Sequence, residues 1–138
     1  MSNRFHLAIP VKSINEAKTF YCDLLGCVAG NSEEGKWQDI NFWGNELTLH
    51  EADTPSHKER HHVDMGAVCV PHFGIHLDWD SYLEVKKRVE AGVGFYDAPY
   101  IRFEGKETQQ ETFFVEDPNF NMLEIKSPQG TYYNSKDK

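Results

Sequence analysis

Cysteine is scarce in this chain, and its scarcity already removes several classes of protein. Only Cys22, Cys27 and Cys69 are present. An odd count without paired-cysteine spacing excludes a disulfide-stapled scaffold and a zinc knuckle. Basic residues are also few. Fourteen Lys and Arg face 22 Asp and Glu, leaving a formal charge of −8. That balance argues against nucleic acid or an anionic membrane surface as a partner, since both need a basic footprint. Long apolar runs are missing, so no stretch reads as a membrane span. The first residues lack the charged-then-apolar pattern of a secretion signal. Together these absences predict a cytoplasmic protein with reduced thiols, in which Cys22 and Cys69 serve as small core residues.

What is present suffices for a core. Hydrophobic residues make up 39% of the chain and aromatics 13%. The length of 138 residues predicts one domain over 1–130, with a polar tail over 131–138. Three short runs alternate polar and apolar residues. They are Arg4-Phe5-His6-Leu7-Ala8-Ile9, His72-Phe73-Gly74-Ile75-His76-Leu77 and Asn121-Met122-Leu123-Glu124-Ile125. Successive side chains of a strand point to opposite faces. Phe5, Leu7 and Ile9 are therefore expected to face a core, with His6 on the opposite face. His72 and Glu124 stand in the same relation to their own apolar neighbours. Two imidazoles and a carboxylate on the non-core faces of three strands form the ligand set of a divalent metal with open coordination positions.

Ser13 followed by Glu16 reads as a helix-capping box. Ala17, Phe20, Tyr21, Leu24 and Leu25 then recur at helical spacing before Gly26 stops the helix. Strands are expected near 27–30, at 37–43 and over Glu46–His50, with Trp43-Gly44-Asn45 as the last turn. Residues 51–70 read as a long polar surface connection, in which His57, His61 and His62 are solvated. A second helix should carry Leu83, Val85, Val89 and Ala91 and stop at Gly92. Strands near 93–96, 100–103, 110–115 and 121–126 should follow. His6 to His72 spans 66 residues, and so does Gly26 to Gly92, the mark of an internal duplication. The expected fold is α+β: two βαβββ modules forming a cup-shaped mixed β-sheet with helices on the outer face. Module one covers 4–52, a linker 53–70, and module two 71–127.

Three motifs in order carry a family resemblance. They are Phe5-His6-Leu7-Ala8-Ile9-Pro10-Val11 with Ala17 to Gly26, then His72 to Asp78, then Glu116-Asp117-Pro118-Asn119-Phe120-Asn121-Met122-Leu123-Glu124-Ile125. The chain resembles the vicinal oxygen chelate superfamily, which includes glyoxalase I, fosfomycin-resistance proteins, bleomycin-resistance proteins and type I extradiol dioxygenases. Its texture is most similar to a small single-domain group of predicted extradiol-type dioxygenases. The resemblance implies an enzyme with a metal on His6, His72 and Glu124. Fe(II) or Mn(II) is preferred, with Zn(II) or Ni(II) as the other options. It implies a small diol or catechol-like substrate and a homodimer. His50 and His76 are then the candidate acid/base groups, and Tyr100, Arg102 and Thr48 the candidate substrate contacts. A glyoxalase I-like lyase or isomerase and a fosfomycin-resistance-like thiol transferase are alternatives. A non-catalytic binding protein of the bleomycin-resistance kind is a third. Glyoxalase I has a carboxylate near the Glu46–His50 strand, where this chain offers Glu46, Thr48 and His50. Phe120 stands where the family carries Gly, and a rearranged turn is expected there.

Overall fold

A computed structural model describes residues 3–54, 61–63, 66–68 and 70–128. The chain forms two compact units, Met1–Val70 with Asp117–Asn121, and Pro71–Glu116 with Met122–Lys138.

In the first unit, β1 (His6–Val11) leads into α1 (Ile14–Lys18), then β2 (Val28–Glu33), β3 (Trp37–Phe42) and β4 (Asn45–Glu51). The sheet order is β1-β4-β3-β2, with β1 parallel to β4 and the other pairs antiparallel. Ser13 caps α1 by accepting the Glu16 amide at 3.2 Å. The helix then widens into a π-helical turn over Thr19–Leu24. That widening leaves Leu24 only half-buried, while Phe20, Tyr21 and Leu25 are buried. Trp43 and Gly44 both adopt positive φ, 46° and 90°, between the paired residues Phe42 and Asn45. Two such residues make the hairpin turn whose twist matches the strands it joins.

The second unit repeats the plan with β7 (Phe73–His76), α2 (Trp79–Ala91), β8 (Asp97–Arg102), β9 (Gln110–Glu116) and β10 (Met122–Pro128). Its order is β7-β10-β9-β8, again with one parallel pair, β7 with β10. Asp78 caps α2 by accepting the Ser81 amide. Phe113, Val115, Leu123 and Ile125 are fully buried on one sheet face, and Tyr82, Val85 and Val89 of α2 are buried too. Tyr82 Oη and Lys86 Nζ both bind Glu111 Oε2, at 2.7 and 2.8 Å. The protein is thus α+β, built from two βαβββ modules.

Four expectations need correction. Phe5 is 65% exposed and precedes β1, so the core stripe is Leu7, Ile9 and Val11. Cys22 is only half-buried, Cys27 is the buried thiol, and Cys69 lies outside the described residues. The polar connection contains a hairpin of β5 (His61–Val63) and β6 (Gly66–Val68). One strand, β8, replaces the two expected at 93–96 and 100–103. It shifts register between Asp97 and Tyr100, around Pro99. A proline fits such a position because an edge strand at a bulge can spare its amide. The tail over 131–138 and His57 lie outside the described residues.

Candidate functional site

Each module carries one histidine–carboxylate pair on its helix-free sheet face. In the first, His6 pairs in register with Glu46, and His6 Nδ1 lies 2.8 Å from Glu46 Oε1. Both side chains are substantially exposed, so the pair contributes little stability by itself. In the second, His72 directly precedes β7, and its Nε2 lies 3.4 Å from Glu124 Oε1. Glu124 is buried, at 5% exposed, and His72 is half-buried.

The environment of Glu124 is closely specified. Thr112 Oγ1 donates to its Oε2 at 2.8 Å. Lys126 Nζ lies 3.5 Å from its Oε1. The His72 ring meets Phe114 edge-on at 5.2 Å. Burial opposes the charged carboxylate, but the bonds from His72 and Thr112 and the charges of Lys126 and His72 outweigh it. Its pKa falls to about 2. An ionised carboxylate converging with an imidazole nitrogen is a donor set that fits a divalent cation. The close approach of the two strands depends on Gly74, which pairs with Glu124. A Cβ there would overlap the Glu124 carbonyl oxygen and lie 2.7 Å from its carbonyl carbon.

Register aligns the two modules. Two residues beyond each histidine stand Ala8 and Gly74, which pair with Thr48 and Glu124 respectively. Thr48 is therefore the first module's counterpart of Glu124. It is buried and donates to Asp39 Oδ1 at 2.7 Å. Glu46, the nearest carboxylate on that strand, lies one same-face step away, opposite His6. His50 closes the row at the end of β4, paired with Trp37 and Pro10.

The other candidates in module two share the face of Glu124. His76, Lys126, Thr112 and Tyr100 form one register row across all four strands. Partial burial and the charge of Lys126 lower the His76 pKa, against the opposing pull of Glu124. Arg102 lies one same-face step beyond Tyr100, paired with Gln110, and its guanidinium sits 4.8 Å from the Phe103 ring centre. Among the described residues, no three His, Cys, Asp or Glu side chains cluster as a metal-holding group. The observed groupings are thus the pairs His6–Glu46 and His72–Glu124. Sequence alternation had singled out His6, His72 and Glu124 but neither Thr112 nor Lys126. Alternation assigns faces, and only register assigns neighbours.

The turn Asp117–Asn121, which joins β9 to β10, belongs by its contacts to the first unit. Asp117 Oδ1 accepts the amides of Asn119 and Asn121, and its Oδ2 accepts Tyr21 Oη and Asn121 Nδ2. Asn119 Oδ1 in turn accepts the Lys12 amide at 2.9 Å. Phe120 adopts φ 66°. Phe120 thus takes the left-handed conformation that Gly adopts without strain.

A duplicated βαβββ unit with a histidine at the start of each module's first strand and a carboxylate on the last strand of the second defines a vicinal-oxygen-chelate-type protein. No protein-family model matches the chain, and no curated protein matches it. Solved structures do. A glyoxalase/bleomycin resistance protein/dioxygenase from Alicyclobacillus acidocaldarius is 32% identical, with a TM-score of 0.74, over 93% of this chain and 92% of its own. A genomically encoded fosfomycin resistance protein from Listeria monocytogenes is 19% identical, with a TM-score of 0.68, over 96% and 97%. A lactoylglutathione lyase from Agrobacterium tumefaciens is 18% identical, with a TM-score of 0.61, over 92% and 94%. The last two share the fold. The chain belongs to the glyoxalase/bleomycin resistance/dioxygenase family of the vicinal oxygen chelate superfamily. Most members of that superfamily are metal-dependent enzymes. Among the described residues, no helix is long and apolar enough to cross a membrane.

Proposed function

We propose that His6, His72 and Glu124 hold Fe(II) or Mn(II), and that the protein is an extradiol-type ring-cleaving dioxygenase acting on a small catechol-like diol. The observation that carries this reading is the register of β4. Thr48 stands where a second carboxylate would complete a four-ligand set, and its hydroxyl is committed to Asp39. Two histidines and one carboxylate leave positions open for substrate and O2. Such a metal supplies electrophilic stabilisation of the diol oxygens. The chain's own residues do the rest. Thr112 fixes the Glu124 carboxylate through Oε2 and leaves Oε1 directed at His72. The His76 imidazole, with its lowered pKa, is neutral at pH 7 and able to take a proton from a diol hydroxyl on a ring nitrogen. His50 is the second acid/base candidate, from the first module's face. Tyr100 and Arg102 would orient substrate, and a cytoplasmic homodimer is the expected assembly.

One observation favours a glyoxalase-like lyase instead. Glu46 lies 2.8 Å from His6 and offers a carboxylate beside that ligand. Anaerobic loading with Fe(II), followed by a catechol scan for O2 uptake and yellow ring-opened products, separates the two. The dioxygenase reading expects stoichiometric O2 consumption that survives Glu46→Gln. Full metal occupancy without turnover of any diol counts against it.

A further inference from the structure

The Lys126 ammonium is the strongest unexplained charge on the Glu124 face. It reaches Glu124 Oε1 at 3.5 Å, the same oxygen that His72 Nε2 approaches at 3.4 Å. Both separations exceed the usual 2.7–2.9 Å of a charge-assisted bond. The other oxygen, Oε2, is taken by Thr112. Lys126 therefore shares one contested oxygen without holding it tightly. A metal on that oxygen would bring a second positive charge to it and leave the ammonium without its present counter-ion.

Among the described residues few other carboxylates share its face, and Asp97, paired with Phe114, lies two strands away on β8. The neighbours of Lys126 along the register row are His76 and Thr112, neither of which carries negative charge. On the same face, Glu116 pairs with Met122, two same-face steps from Lys126. At about 7 Å per step, that is too far for the ammonium. Lys126 keeps 23% of its side chain exposed, so solvent reaches it.

We infer that Lys126 is a specificity-determining residue that pairs with an anionic substituent, such as a carboxylate, on the diol substrate. The inference rests on the metal reading above. It goes beyond it by naming the charge of the substrate next to the diol. An unpaired ammonium on a half-buried face selects an anion because only an anion replaces the Glu124 oxygen it gives up.

The test is binding without turnover, using the full chain loaded with Mn(II) under anaerobic conditions. The probes are 3,4-dihydroxybenzoate and catechol, with affinities measured by calorimetry. The wild type should bind the carboxylated diol roughly 10- to 100-fold tighter, the worth of a charged hydrogen bond. Lys126→Met should bring the ratio of the two affinities to near one, while Lys126→Arg should retain part of the preference. A preference that persists in Lys126→Met overturns the inference, as does a wild type that does not discriminate. Equal weakening of both diols also overturns it, because the ammonium then serves the shared diol. If Mn(II) does not bind, or neither diol responds to Mn(II), the metal reading itself fails and takes this inference with it. Metal-dependent binding without discrimination sinks only the role of Lys126.

Discussion

Replacing Gly74 with Ala should damage the second module out of proportion to one methyl group. The added Cβ would overlap the Glu124 carbonyl oxygen, and it would lie 2.7 Å from that carbonyl carbon and 3.0 Å from the Glu124 amide nitrogen. Carbon atoms prefer about 3.5–4.0 Å, so β7 has to retreat by roughly an ångström. The atoms in its way are backbone, which no rotamer change relieves. β7 pairs with β10 over only four positions, Phe73 to His76. Losing two ladder hydrogen bonds costs about 2 kcal/mol at ~1 kcal/mol each. Partial exposure of Phe73 and Ile75 adds about 1–3 kcal/mol. The sum, about 3–5 kcal/mol, is a large share of an ordinary domain's stability. Urea unfolding followed by circular dichroism measures it. Gly30→Ala is the matched control, because its Cβ would meet nothing closer than 3.5 Å. It should be neutral within about 0.5 kcal/mol. A Gly74→Ala variant as stable as Gly30→Ala would refute the close approach on which the His72–Glu124 geometry depends.

Three further outcomes follow from named contacts. Thr112→Val keeps the shape but removes the donor to Glu124 Oε2, and it should weaken Mn(II) binding about 10-fold, with Thr112→Ser close to wild type. At position 120, Gly should be more stable than Ala by about 1 kcal/mol, because both lose the ring and only Ala keeps a Cβ at positive φ; equal unfolding midpoints would argue against the strained turn. Burial holds the Asp117 pKa above its ordinary 3.8, against hydrogen bonds from Asn121 and Tyr21. As pH rises, the unfolded chain ionises first, so the folded state loses stability from 3.8 up to the folded pKa, and the deficit persists above it. Carboxyl NMR titration should find the raised value, and a value at or below 3.8 would contradict it.

Particular residues mark how far the sequence could be read. Alternation assigned His6, His72, His76 and Glu124 to helix-free faces, because a period of two is a local property of the backbone. Ser13, Gly26 and the 66-residue offset framed the modules for the same reason. Phe5 misled because alternation continues past the end of a strand, beyond its last buried neighbour. The β5–β6 hairpin escaped because its flanking residues are polar and its pairing is short. At 93–103, two apolar clusters look like two strands, yet residues 93–96 lead out of α2 outside any strand, with Gly94 at φ 81°, and only β8 forms. The π-helical turn left no periodic mark, and it altered only the exposure of Leu24. Thr112, Lys126 and Asp39 act through cross-strand register, which depends on bulges and turns that a local pattern does not encode.

The central claim is that His6, His72 and Glu124 together hold one divalent metal. Anaerobic titration of the metal-free full chain with Fe(II) or Mn(II), by calorimetry with metal analysis, addresses it directly. One metal per chain is predicted for the wild type, with binding lost in His6→Ala, in His72→Ala and in Glu124→Gln while each variant keeps its circular dichroism spectrum. A folded wild type that takes up no metal, or tight binding that survives His6→Ala, would contradict it.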